Sequence, residues 1–94
     1  MTDRQKEDFA LGQVVATPGA LEALDDAVSA FILLGRHCSG DWGDLCEEDR
    51  AANDRAVKDG GRILSAYHLD NGTKIYIITE WDRSVTTLLL PEEY

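Results

Sequence analysis

The stretch Arg62-Ile63-Leu64-Ser65-Ala66-Tyr67-His68-Leu69-Asp70-Asn71-Gly72-Thr73-Lys74-Ile75-Tyr76-Ile77-Ile78-Thr79-Glu80-Trp81 decides the fold. Two runs rich in β-branched and aromatic residues, Arg62 to Leu69 and Thr73 to Trp81, flank Asp70-Asn71-Gly72. Asn-Gly between such runs is the strongest short-range hairpin signal, because a type I′ turn needs positive φ at both central positions. Taken as a two-residue loop, Asn71-Gly72 pairs Ala66 with Ile77 and His68 with Ile75. One face then holds Leu64, Ala66, His68, Ile75, Ile77 and Trp81. The other holds Ile63, Ser65, Tyr67, Tyr76 and Ile78. A three-residue loop slides the strands by one and pairs Tyr67 with Ile75 instead. A second turn at Asp82-Arg83-Ser84 leads into Val85 to Leu90, which Pro91 ends. The last third of the chain therefore reads as a three-stranded antiparallel meander.

Upstream of the meander the periodicity changes. Phe9 to Ala16 has the apolar and β-branched character of a strand, with Gly12 at its start or at a bulge. Thr17-Pro18 is a helix-start signal, since Thr caps and Pro is preorganised for the first helical position. Leu21, Leu24, Val28, Phe31 and Ile32 then recur at helical spacing. Asp25-Asp26 interrupts that run, and two short helices with a bend near residues 25–29 suit it better than one. Ser29 is a candidate cap for the second, from Ala30 to His37. Ser39-Gly40-Asp41-Trp42-Gly43 reads as a turn. Asp44-Leu45-Cys46-Glu47 reads as a capping box that opens a third helix. Glu47, Glu48 and Asp49 in its first turn and Lys58 in its last agree with the helix dipole, and Gly60-Gly61 ends it. The expected fold is α+β: an N-terminal strand, two or three short helices, then the meander, with helices on one face of the sheet.

Charge bounds the function. The 94 residues carry 18 acidic and nine basic side chains, a formal net charge of −9. A protein that tracks a phosphate backbone needs clustered Lys and Arg, so direct nucleic-acid binding is not expected. The chain is one domain by length, and residues 1–8 are expected to fray. Its polar N-terminus is not a secretory signal, and its longest apolar run, Ala30 to Leu34, is far shorter than a membrane span. These features point to a cytoplasmic protein.

The segment Arg36-His37-Cys38-Ser39-Gly40-Asp41-Trp42-Gly43-Asp44-Leu45 carries a resemblance, together with Leu64-Ser65-Ala66-Tyr67, Asp70-Asn71-Gly72-Thr73-Lys74-Ile75, Thr79-Glu80 and Pro91-Glu92-Glu93-Tyr94. Over nearly its whole length the chain resembles a family of small bacterial proteins associated with plasmids and other mobile elements. Some members are labelled plasmid-related protein, others restriction–modification methylase subunit. A methyltransferase needs a glycine-rich strand-to-helix turn for its nucleotide cofactor. This chain has no Gly-x-Gly and only Pro18 and Pro91 as prolines. The resemblance implies a setting and no catalytic residue. The order of elements is also similar to that of small ribonuclease toxins, which are typically basic where this chain is acidic.

Three constellations are candidates for function. Glu80, Arg83 and His37 are the one set suited to acid–base cleavage of RNA, with Glu or His taking the 2′-hydroxyl proton and Arg stabilising the phosphorane. Their alternative reading is a turn ion pair and a partly exposed helix-end histidine. Asp41-Trp42-Gly43-Asp44 is either a recognition loop with an exposed Trp anchor or a lid folded over the core. The third is the acidic segment 41–59, where Asp41, Asp44, Glu47, Glu48, Asp49, Asp54 and Asp59 stand against Arg50, Arg55 and Lys58. Such a surface offers carboxylates to a basic protein partner, and otherwise is a solvated helix. Binding is accordingly expected at Asp41, Trp42, Asp44, Glu48, Asp49 and Asp54. His37, Cys38, Cys46 and His68 are ligand types that suit zinc, but the seven residues between the cysteines do not match a zinc finger. Asp41, Asp44 and Glu47 lack the full ligand set of a calcium loop. No metal and no cofactor are expected.

Overall fold

The computed structural model describes residues 9–94, and the fraying expected of residues 1–8 lies outside them. The elements follow the chain as strand β1 (Gln13–Ala16), helices α1 (Pro18–Leu24), α2 (Ala27–Cys38) and α3 (Glu47–Asp59), and strands β2 (Ile63–His68), β3 (Lys74–Thr79) and β4 (Val85–Leu89). A 3₁₀ turn at Pro91–Glu93 follows. The architecture is α+β with a four-stranded mixed sheet in the order β1-β4-β3-β2. The meander β2-β3-β4 is antiparallel, and β1 extends it by pairing parallel to β4. The N-terminal strand is shorter than the expected Phe9 to Ala16.

The hairpin takes the three-residue loop. Tyr67 stands opposite Ile75 and Ser65 opposite Ile77, so the register drawn from a two-residue turn is corrected by one residue. The reason lies in the turn itself. Asn71 Oδ1 accepts from the Thr73 amide, and the Gly72 amide donates to the Leu69 carbonyl. Gly72 has φ +87°, while Asn71 is not in the left-handed region. A type I′ turn would need both. A type I turn closed by a left-handed glycine satisfies the same residues with one more in the loop.

That register gathers Ile63, Ser65, Tyr67, Ile75, Ile77, Thr79, Thr86 and Leu88 as buried residues along one face. Helices α1 and α2 cover it with Ala20, Leu24, Leu33 and Leu34, which form one cluster with Tyr67, Ile75, Ile77 and Leu88. Each fully buried Leu or Ile contributes about 1.5–3 kcal/mol of transfer free energy. Tyr94, just after the 3₁₀ turn, leans its ring on Tyr76 on the opposite face.

The bend between α1 and α2 is built from the two aspartates. Asp25 ends α1 at φ +65°, and Asp26 caps α2 by accepting from the Ser29 amide. The cap is therefore Asp26 rather than Ser29, and α2 starts earlier than expected. Thr17 caps α1 by accepting from the Ala20 amide.

Helix α3 does not lie on the sheet face. It runs beside β2 and is attached through polar contacts. Asn53, its one buried residue, donates to the Leu64 carbonyl and accepts from the Leu64 amide. Two residues on, the Ala66 amide donates to the Trp42 carbonyl and the Asp44 amide donates to the Ala66 carbonyl. Edge strand β2 is thus closed against further pairing by one side-chain amide and one loop. The loop can approach because Gly43 has φ +76°, and a Cβ there would collide with the Ala66 carbonyl oxygen.

Candidate functional site: a buried histidine network and two exposed surfaces

His37, in the last turn of α2, lies in the interior with no exposed surface. Its Nδ1 lies 2.6 Å from Ser65 Oγ and its Nε2 2.9 Å from Thr79 Oγ1. Thr79 Oγ1 lies 2.7 Å from Thr86 Oγ1, which donates at 2.7 Å to the Leu11 carbonyl. A carbonyl only accepts, and each hydroxyl has one proton, so the direction of the whole chain follows. Thr86 gives its proton to Leu11, Thr79 donates to Thr86, and His37 Nε2–H donates to Thr79. Burial pushes the His37 pKa down to about 4, which keeps the ring neutral, and its bare Nδ1 then accepts from Ser65. Phe9 meets the ring edge-on at 5.2 Å between centroids and Trp42 at 6.0 Å.

The other members of the acid–base set point elsewhere. Arg83 donates to the carbonyls of Gly61 (2.6 Å) and Ala56 (2.8 Å), and also to those of Glu80 and Trp81. It holds the end of α3 against the β3–β4 turn. Its guanidinium lies 5.6 Å from the centre of the Phe9 ring, the same ring that contacts His37. Glu80 pairs with Arg62 at 3.4 Å, in a cleft with Ile78 and Leu89 on the face away from His37. Among the described residues, neither His37 nor Arg83 lines the cleft that holds Glu80.

Trp42 is 2% exposed, so of the two readings of Asp41–Asp44 the lid holds and Trp42 is a core residue, not an exposed anchor. Its indole N–H donates to Asp54 at 3.0 Å. Asp41 forms a paired contact with Arg36, with Nε to Oδ2 at 2.7 Å. Its backbone carbonyl accepts from Tyr67 O–H at 2.6 Å, and burial pushes the Tyr67 pKa up to about 12. Asp44 pairs with His68 Nδ1 at 2.7 Å instead of capping α3. Cys46 occupies the cap position, with no side-chain bond. Of the acidic residues expected to bind, Asp41, Asp44 and Asp54 thus also fasten the loop. Glu48 and Asp49 stand exposed in the first turn of α3. The residues considered for zinc do not assemble: both His37 nitrogens are engaged and His68 is paired with Asp44. Among the described residues no group of three His, Cys, Asp or Glu side chains is placed to hold a metal ion.

A second surface went unnoticed in the sequence. Val28, Phe31 and Ile32, which recur at helical spacing, are 65%, 70% and 58% exposed. Leu33 and Leu34 turn inward in their place. The periodicity located the helix correctly but did not say which of two adjacent apolar stripes meets the sheet.

No protein-family model, curated protein or solved structure matches the chain. Among the described residues no helix is long and apolar enough to cross a membrane.

Proposed function

We propose that this chain is a small acidic, non-catalytic module that binds a basic protein partner in the cytoplasm. The observation that carries this reading is α3. Of its 13 residues only Asn53 is buried, and its first turn presents Glu47, Glu48 and Asp49 to solvent. A helix with so little apolar contact adds little to the core, while its carboxylates give a field that steers and orients a cationic surface. The placement of His37, Glu80 and Arg83 favours this reading over a ribonuclease-like hydrolase. A neutral histidine closed off from solvent cannot reach a 2′-hydroxyl, and the arginine is committed to backbone carbonyls. The resemblance to mobile-element proteins supports a setting in DNA processing or host defence, where basic proteins are common partners.

Affinity capture with the whole chain, followed by titration of the captured protein against the Glu48→Lys, Asp49→Lys variant at two salt concentrations, tests the proposal. The expected partner is basic. Its association with the variant is slower, and the difference shrinks at high salt, where screening shortens to about 3 Å at 1 M. An acidic partner, or equal affinities at low salt, overturns the reading.

A further inference from the structure

While α3 steers a basic partner by charge, the start of α2 and the groove beside it offer the apolar surface that anchors one. Val28, Phe31 and Ile32 stand at positions i, i+3 and i+4, so they form one continuous ridge. More than half of each side chain is in water. A patch of this kind, on the order of a few hundred Å², is the size at which exposed apolar surface marks interaction sites. Ile32 also borders a groove between the α1–α2 bend and the tip of the β2–β3 hairpin. Leu24, Leu33 and Leu69 lie along this groove, and Asp25, Asp26 and Asp70 stand around it. All three aspartates are exposed, and none pairs with a cation among the described residues. Asp26 is held in its charged form by the Ser29 amide, which lowers its pKa.

Resting on the reading of a protein-binding module, we propose that this surface docks an amphipathic helix of the partner, its apolar face on the Val28-Phe31-Ile32 ridge and Lys or Arg side chains over Asp25, Asp26 and Asp70. Charge selects the occupant. A second copy of a chain with net charge −9 would set carboxylates against carboxylates. A cationic helix instead lays its aliphatic stems on the leucines and its charged heads on the rim. Phe31, the most exposed of the three and aromatic, is the expected anchor.

The test uses the full chain, labelled for amide NMR, and a synthetic leucine–lysine amphipathic helix of about five turns. Its glutamate-for-lysine counterpart is the control. The lysine peptide is expected to shift amides of residues 25–35 and 68–71, and the glutamate peptide to shift none. Phe31→Ala should weaken binding about tenfold or more. The triple variant Asp25→Asn, Asp26→Asn, Asp70→Asn should weaken it at low salt and much less at high salt. Asn caps α2 as well as Asp does and tolerates the left-handed backbone at residue 25, so that variant keeps the fold. Binding that shifts only residues 47–59 and ignores Phe31→Ala would overturn the docking site while leaving a basic partner in place. No binding of the lysine peptide at low salt would overturn the docking site, while the Glu48→Lys, Asp49→Lys titration decides on the basic partner by itself.

Discussion

Lowering the pH should destabilise the protein well before its carboxylates protonate, and the cause is His37. The folded ring is neutral because burial penalises its charged form. In the unfolded chain the ring takes up a proton near its ordinary value of 6.5, and in the folded one only near 4. Between those values the unfolded state binds more protons. Stability is therefore constant above about pH 6.5 and falls as the pH drops toward 4. At about 1.4 kcal/mol per unit, the loss is about 2 kcal/mol between pH 6.5 and 5, and about 3 kcal/mol by pH 4. Asp26, Asp82 and Glu93 also have lowered pKa values, each through hydrogen bonds from nearby backbone or hydroxyl groups. Their stabilising effects are lost as the pH falls through the ordinary carboxylate range and below, so the window from 6.5 to 5 belongs to His37. For a domain of this size about 2 kcal/mol corresponds to roughly 10 °C in melting temperature. Urea denaturation at pH 7, 6 and 5 measures it. His37→Gln should flatten the slope in that window. Equal stability of the wild-type chain at pH 7 and pH 5 would refute the neutral, closed-off ring.

Further substitutions address the turn, the lid and the acidic helix. Gly72→Val forces a β-branched residue to positive φ and should cost about 1–3 kcal/mol by chemical denaturation. An unchanged midpoint would contradict the turn. Trp42→Ala opens a cavity under the loop and removes the hydrogen bond to Asp54, and should cost about 3–5 kcal/mol. Intact stability with lost partner binding would instead return Trp42 to the surface. Glu48→Lys with Asp49→Lys should leave the melting temperature within a degree or two, since exposed helix charges contribute only a few tenths of a kcal/mol each.

Most of the fold could be read from local chemistry. Thr17-Pro18, the Asp25-Asp26 interruption, the Gly60 stop and the β-rich runs around Asn71-Gly72 each act within a few residues, and the structure uses all of them. What stayed hidden depends on contacts distant in sequence. The parallel pairing of β1 with β4 joins residues about seventy apart, and nothing in Gln13–Ala16 names its neighbour. The one-residue slip in the hairpin had the largest consequence. With the two-residue turn, Ser65 falls on the face opposite Ile77. With the observed register, Ser65 joins Ile77, Thr79 and Thr86, and three hydroxyls line the buried face under His37. A polar residue repeated on a core face was the available signal, and the wrong register split it. Asn53 was missed for a related reason. An Asn in mid-helix is a poor helix former, which hints that its side chain is needed elsewhere, but only the edge of β2 shows where.

The proposed function turns on whether the acidic surface is used. The most direct measurement is the affinity of the captured partner for the wild-type chain and for the Glu48→Lys, Asp49→Lys variant, followed across ionic strength. Our account predicts a basic partner, slower association with the variant at low salt, and convergence of the two chains as salt rises. A partner that binds both chains equally at low salt, or whose affinity ignores salt, would contradict it.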